Sequence, residues 1–441
     1  MSRIPNRMAI SWGVGTLLPS ILFNTTAFLL LRFLTDYVGV AAGTAGLLLM
    51  LAKLYDIAAN PLMGSLSDRV AFPGGRRRPW LLLGATLAVA GFLSLFHAAS
   101  AADTLTVMAA LLLYSTGYTV FNVPYMAMPA EMSGSYHERT RLMSFRVYTI
   151  AVGTFIGGAL APWLIAHFGG GVSGHRQMSV ILSILAFAAA LACFFGTSGA
   201  PATRPAPTPP LPWHGRLGLL AGNRPFRLLL GTKVLQLFSL ASSQASMAYF
   251  LVLVLGRSYR DLAAYSLAGS VAIFLSQPLW LALSRRFGKS RAYSHAAAAY
   301  ALLTMTWLLA GPDEPGWVFF ARAIGMGALS GGLLLMGQSL LPDTIEFDHL
   351  RTGQRREGLL AGLYSMAEKV AGALGAAITG LVLAAFGYVA SRNGTAVQPA
   401  SAVLGVKLCL AVIPAIAMLA SCLVLARYDL DETALERARP H

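Results

Sequence analysis

The sequence predicts an all-α polytopic membrane protein with about twelve transmembrane helices in two six-helix bundles. Three observations carry that expectation. The 441 residues are 56% hydrophobic and only 12% charged, about half the charge of a soluble domain. Apolar runs near the ~20 residues needed to cross a bilayer recur from end to end. A proline-rich polar stretch, GTSGAPATRPAPTPPLPWHGR from Gly196 to Arg216, interrupts them near the middle. A soluble enzyme built on one large core is excluded by this composition.

The first six spans are expected at 10–33, 41–66, 80–100, 104–129, 143–166 and 177–197. The second six are expected at 227–256, 261–284, 291–311, 316–341, 358–388 and 403–426. The first run lacks a small-residue cleavage site and reads as a mature helix rather than a removed signal. Proline cannot continue a helix, so the central stretch separates the halves. The domains are then 1–197 for the first bundle, 198–225 for a cytoplasmic linker, 226–427 for the second bundle and 428–441 for a cytoplasmic tail. Gly153 and Gly157, and likewise Gly327 and Gly331, have the spacing that lets helix backbones approach closely.

The net charge of +15 is explained by basic loops on one membrane face rather than by nucleic acid. With both termini on one side, that side holds Arg3, Arg7, Arg76, Arg77, Arg78, Arg285, Arg286 and Lys289, while Arg32, Arg176 and Arg257 fall in the sparser opposite loops. The bias puts both termini in the cytoplasm, in a bacterial-type inner membrane. Short basic loops follow the second and eighth spans, GSLSDRVAFPGGRRRPW and LSRRFGKSRAY, and such an echo is what a two-half transporter shows. Cys193, Cys409 and Cys422 all lie in apolar runs and read as small buried hydrophobes.

One residue points to function by itself. Asp56 lies in the middle of GTAGLLLMLAKLYDIAANPLMGSL, from Gly43 to Leu66. A carboxylate at that depth costs of order 2.5–3.5 kcal/mol on insertion scales, so it faces a wet interior and marks an ion or substrate path. No nucleophile motif, phosphate loop or histidine cluster accompanies it, and Asp56 and Asp68 are too far apart on one helix to share a magnesium-phosphate site. No metal site and no cofactor are expected. A scaffold has no need of a buried charge.

Four stretches in order, KLYDIAANPLMGSLSD, the basic loop after it, NVPYMAMPAEMSGSYHERTRLMSFR and PDTIEFDHLRTGQRREGLLAGLYSMAEKVAGALG, resemble the glycoside–pentoside–hexuronide:cation symporter family of the major facilitator superfamily, whose type is the melibiose carrier. The resemblance covers nearly the whole chain. It implies two bundles that rock about a central cavity, and a small solute moved together with a cation.

The resemblance also implies site residues. In sodium-coupled members two aspartates lie one turn apart on the second span; here Asp56 keeps the first and Asn60 replaces the second. A hydroxyl on the fourth span is kept as Thr119. Sodium, like calcium, needs several oxygens, so co-transported H+ is expected and Na+ is the alternative. Lys369 on the eleventh span stands where the family has a lysine beside the cation site; it is expected to pair with Asp56, with Glu368 as a second choice. Lys53 is expected to pair with Asp56 or to line the cavity.

The family's sugar-binding aspartates are replaced by Ser20 and Asn122 and its stacking ring by Met126, while Arg146 is retained. Tyr118 and Gln244 complete the expected substrate set, with Asn24, Tyr148 and Tyr364 as further polar candidates. The first solute expected is sugar- or glycoside-like; an anion, uronate or lysolipid held by Arg146 is the alternative. The charged residues Asp68, Arg69, Glu131, Arg139, Arg141, Asp343 and Arg356, placed in loops after the second, fourth and tenth spans, resemble the family's cytoplasmic gate. The remaining partners expected are membrane lipids, with the monomer as the functional unit.

Overall fold

A computed structural model describes residues 4–70, 76–97, 103–133, 136–200, 223–352, 357–394 and 396–430. Helices account for nearly all of them. In chain order, α1 is the run Asn6–Val38, α2 is Ala42–Arg69, α3 is Arg78–His97 and α4 is Thr104–Met132. α5 is Tyr136–Phe155, continued by Ile156–Leu160 and Ala161–His167, and α6 is Gly171–Gly196. α7 is Arg224–Leu253, α8 is Tyr259–Phe287, α9 is Lys289–Met305 with a final tight turn Thr306–Leu309, and α10 is Gly316–Thr352. α11 is Glu357–Ala385 and α12 is the run Ala400–Leu425. Among the described residues, ten helices are long and apolar enough to cross a membrane; α7 and the 17-residue α9 are not among them.

The outer faces have the chemistry of a lipid-facing surface. Leu275 is 76% exposed, Leu302 71% and Ile184 63%. Water would penalise such residues in number, whereas hydrocarbon accepts them.

The hydrophobic runs locate the helices but underestimate several of them. α10 continues through LPDTIEFDHLRT, past the end of its apolar run at 341. Consequently Asp343 lies on a helix rather than in a loop, as do Asp68 and Arg69 at the end of α2, Glu131 at the end of α4, and Arg141 in α5. Hydropathy marks the membrane slab. Helix formation needs only backbone hydrogen bonds and good formers such as Glu, Leu and Arg, which continue the ladder beyond the slab.

Prolines lie inside helices of both halves, among them Pro61 in α2, Pro124 and Pro129 in α4, Pro278 in α8 and Pro342 in α10. Each removes one ladder hydrogen bond and bends its helix. Pro61 and Pro278 occupy the second helix of their halves, and Pro129 and Pro342 the fourth, so the repeat extends to the bends. π-turns interrupt α1 at Thr26–Leu30 and Leu34–Val38, α5 at Ile156–Leu160 and α12 at Leu408–Val412.

The chain divides into two compact units. Unit 1 comprises 1–207 with 258–264 and 387–399; unit 2 comprises 208–257, 265–386 and 400–441. Residues 201–222 of the central stretch and 431–441 of the tail lie outside the described residues.

In unit 1, α1 and α5 meet where the spaced glycines predict. A Cβ at Gly153 would lie 2.4 Å from Ser20 Cβ, and one at Gly157 2.8 Å from the Ile21 carbonyl oxygen. In unit 2 the second pair does the same for α8 and α10. A Cβ at Gly327 would lie 2.2 Å from the Gly269 carbonyl oxygen. Only glycine permits these approaches.

Arg32 departs from its expected place in a loop. It is buried inside α1, and its Nε donates to Asp36 Oδ2 at 2.9 Å. Tyr388 donates to the same carboxylate at 2.6 Å, and Arg32 Nη1 reaches the Tyr259 hydroxyl at 3.3 Å. A lone arginine in a run otherwise apolar reads as an end marker. Its carboxylate one turn on, together with hydroxyls from 258–264 and 387–399, allows it to be buried.

Candidate functional site

The centre of unit 1 is built around Asp56. The α2 helix presents it inward with 2% exposure. The Thr119 hydroxyl of α4 donates to Asp56 Oδ1 in a short hydrogen bond. The structure thus brings these two residues together, with the hydroxyl satisfying one carboxylate oxygen. Tyr55, next to Asp56, hydrogen-bonds Thr116 across the same helix pair at 2.8 Å. Asn60 lies one turn further along α2, half-buried.

Lys53 lies one turn before Asp56. Its ammonium stands 5.1 Å from the Phe23 ring centroid of α1 and 5.7 Å from that of Tyr118 on α4. Two aromatic faces stabilise a cation by about 0.5–2 kcal/mol each, depending on desolvation. The cage holds the Lys53 ammonium against the Tyr118 ring, one turn before Asp56 on the same helix. Tyr118 lies one position before Thr119 on α4 and is within electrostatic reach of both Asp56 and Arg146.

Arg146, on α5, is half-buried, and its Nε has no hydrogen-bond partner among the described residues. A guanidinium N–H withdrawn from water without an acceptor is costly. Ser20 is buried on α1; its carbonyl accepts from Asn24 Nδ2 at 2.8 Å, and Asn24 also reaches Thr154 Oγ1 at 3.3 Å. Asn122 is half-buried on α4, and Met126, one turn on, is 37% exposed. Tyr148 is 72% exposed on α5.

Lys369 and Gln244 belong to unit 2 and are both half-buried, on α11 and α7. Tyr364 is buried, and its hydroxyl donates to the Gly337 carbonyl at 3.2 Å. Glu368 pairs with Lys233 of α7 at 3.7 Å. Sequence reading missed Lys233, although it gave a weaker form of the signal at Asp56: an ionisable residue inside an expected span, six residues from its start.

The charged residues expected to gate are paired within their own units. In unit 1, Glu131 accepts from Arg76 Nη2 at 2.5 Å and from Arg77 Nε at 2.8 Å, and Arg77 also reaches Asp68 and Ser67. Arg141 binds Glu138 at 2.9 Å and the Ile4 carbonyl at 2.6 Å. In unit 2, Lys289 binds Asp343 at 2.6 Å. Arg69 is exposed at the end of α2. The Arg139 side chain and Arg356 lie outside the described residues. Glu131 is buried, so its double pairing holds α2, α3 and α4 together at one end; an exposed pair would contribute only ~0–1 kcal/mol.

Residues 11–432 match the family described as MFS/sugar transport protein. Among curated relatives, the Escherichia coli protein YagG, named as a candidate glycoside/cation symporter, is 27% identical over 99% of this chain and 94% of its own length. The E. coli glucuronide carrier protein homologue is 26% identical over 97% of this chain and 93% of its own. The isoprimeverose transporter of Lactiplantibacillus pentosus is 23% identical, over 97% and 90%. Among solved structures, a bacterial homologue of the human lysosomal transporter Spinster, in an inward-facing and unoccupied conformation, matches over the whole of both chains with a TM-score of 0.69 at 15% identity. At that identity the likeness speaks to the fold.

Proposed function

Because this chain belongs to the MFS/sugar transport protein family and is an integral membrane secondary transporter, we propose that it moves a small sugar- or glycoside-like solute by alternating access, driven by protons that load on Asp56. Both termini lie in the cytoplasm and the monomer is the working unit. The observation that carries the proposal is the Asp56 site: one buried carboxylate, satisfied by the Thr119 hydroxyl, with Asn60 where a second carboxylate would stand. Two carboxylates and several oxygens suit a hard cation. A single carboxylate in an apolar surround suits a proton, because burial favours the neutral form and a proton neutralises it fully. The symporter and sugar-carrier names of the relatives fit this reading.

Arg146 supports a second reading, in which the solute is anionic. A buried Nε–H without an acceptor is matched by a carboxylate or phosphate oxygen on the solute, and guanidinium geometry favours such planar acceptors. Uronates and lysolipids are the two classes to compare; one relative is named as a glucuronide carrier homologue.

The first experiment measures melting of the purified protein with neutral sugars, glycosides, uronates and lysolipids, with and without sodium, at acid and neutral pH. A ligand of the folded state raises the melting temperature by mass action. Stabilisation by a neutral sugar at acid pH, indifferent to sodium, is the expected result. Stabilisation that requires sodium would overturn proton coupling, and stabilisation by lysolipids alone would overturn the sugar assignment.

A further inference from the structure

Unit 2 contains a second buried charge centre, on four helices. The α7 helix places Lys233 inside the unit with 5% of its side chain exposed. Its ammonium lies 3.7 Å from Glu368 Oε1 on α11 and 5.6 Å from the Tyr364 ring centroid, one turn before Glu368. Gly337 on α10 leaves the space open. A Cβ there would lie 3.3 Å from Lys233 Nζ and 2.8 Å from the Tyr293 hydroxyl of α9. Tyr293 has no exposed surface, and its hydroxyl has no hydrogen-bond partner among the described residues.

Three features distinguish this centre from a static brace. The separation of the ion pair exceeds the roughly 2.7–2.9 Å of a charge-assisted hydrogen bond, so the ammonium is attracted but not locked. The Tyr293 oxygen retains acceptor capacity beside the same glycine as the ammonium. The Glu368 side chain is 35% exposed while Lys233 is closed off, so a proton has a route to the carboxylate and none is needed to the amine. A buried unpaired hydroxyl is rare and calls for a second use.

We propose that Glu368, Lys233 and Tyr293 form a second proton-handling site, in which protonation of Glu368 releases Lys233 to the Tyr293 hydroxyl. In one state the Glu368 carboxylate holds the ammonium by charge. Water delivers a proton to a carboxylate oxygen, an O–H bond forms and the negative charge is lost. The ammonium keeps all its protons and redirects one N–H to the Tyr293 oxygen, so it stays solvated by protein in both states. The groups that act on Glu368 include Lys233 from α7, Tyr293 from α9 and Tyr364 on its own helix, with Lys369 adjacent in sequence; α10 contributes the Gly337 backbone. The site adds to the Asp56 reading and rests on it only for the identity of the coupled ion.

The test uses the purified full-length chain and the proton alone as ligand. Infrared difference spectra are recorded from alkaline to acid pH, and the protonated-carboxyl band is followed. A band that Glu368→Gln removes is expected, distinct from the one that Asp56→Asn removes. Tyr293→Phe deprives the released ammonium of its acceptor, so the Glu368 band should rise about one pH unit lower, a tenfold change. A band unchanged in Glu368→Gln, or a midpoint unmoved in Tyr293→Phe, overturns the inference. If Glu368→Gln does not fold, Glu368→Asp replaces it, and its band must shift in frequency. A wholly structural role for Lys233 would lower the melting temperature of Lys233→Arg and leave the Glu368 midpoint where it was. Persistence of the Glu368 band with no Asp56 band would instead overturn only the Asp56 proposal.

Discussion

Each unit has a buried ion pair, Arg32–Asp36 in unit 1 and Arg322–Glu314 in unit 2, but the Asp56 and Lys233 centres are built differently. In unit 1 a carboxylate on the second helix of the half is satisfied by a hydroxyl on the fourth. In unit 2 an ammonium on the first helix of the half faces a carboxylate on the fifth. The halves repeat their helix order and their proline bends, yet the charged centres do not occupy repeated positions. The repeat is therefore a property of the scaffold, while chemistry is grafted on it site by site. The two centres also differ in what removing the carboxylate would leave: a hydroxyl without its acceptor in unit 1, a buried ammonium in unit 2.

The comparison can be broken in several ways. The largest expected effect is on transport. Asp56→Asn should reduce concentrative uptake in proteoliposomes to background while solute exchange persists; normal accumulation would remove Asp56 from coupling.

Next in size is the unit 2 pair. Removing one member of a buried pair typically costs ~3–5 kcal/mol, and the partial exposure of Glu368 places Lys233→Met at the lower end. Combined replacement of Lys233 and Glu368 by apolar residues should recover much of that stability. A double variant as unstable as the two single effects added together would mean the residues do not interact.

Arg146→Gln should weaken binding of an anionic solute by about 1.5–3 kcal/mol, or roughly 10- to 100-fold, the range for hydrogen bonds to charged groups. Neutral sugars should bind as before, and equal losses for both would assign Arg146 to packing. Thr119→Val should reduce coupled uptake by about tenfold, since one hydrogen bond to the carboxylate is lost. The smallest effect belongs to the exposed pair Arg224–Asp429, at 3.2 Å with both side chains about 60% exposed. Asp429→Asn should change stability by no more than ~1 kcal/mol, which calibrates the melting measurements.

Asp56 and Lys233 also divide what could be read in one dimension. Asp56 stands out because its surround is apolar and because KLYDIAANPLMGSLSD carries a resemblance. Lys233 was visible as a charge near the start of a run, but it stands in polar company, with Arg227, Gln236 and several serines nearby, and a charge in such company attracts less notice. The Thr119 hydroxyl followed from the resemblance. The cage of Phe23 and Tyr118 around Lys53 did not, because it joins residues of three helices that no spacing rule connects.

Arg32 shows the limit most directly. Sequence places it at the end of an apolar run, where arginine marks topology; the fold surrounds it with Asp36, Tyr259 and Tyr388, two of them more than two hundred residues away. Class and the presence of a costly charge in the second span could be read from the order of residues alone, because hydropathy and the cost of burying ions act locally along the chain. Which hydroxyl, ring or counter-ion satisfies each charge emerged from the packing of the helices. Those partners come from distant helices, and the energy of a buried ion depends on what lies within a few ångströms of it, which the order of residues does not specify.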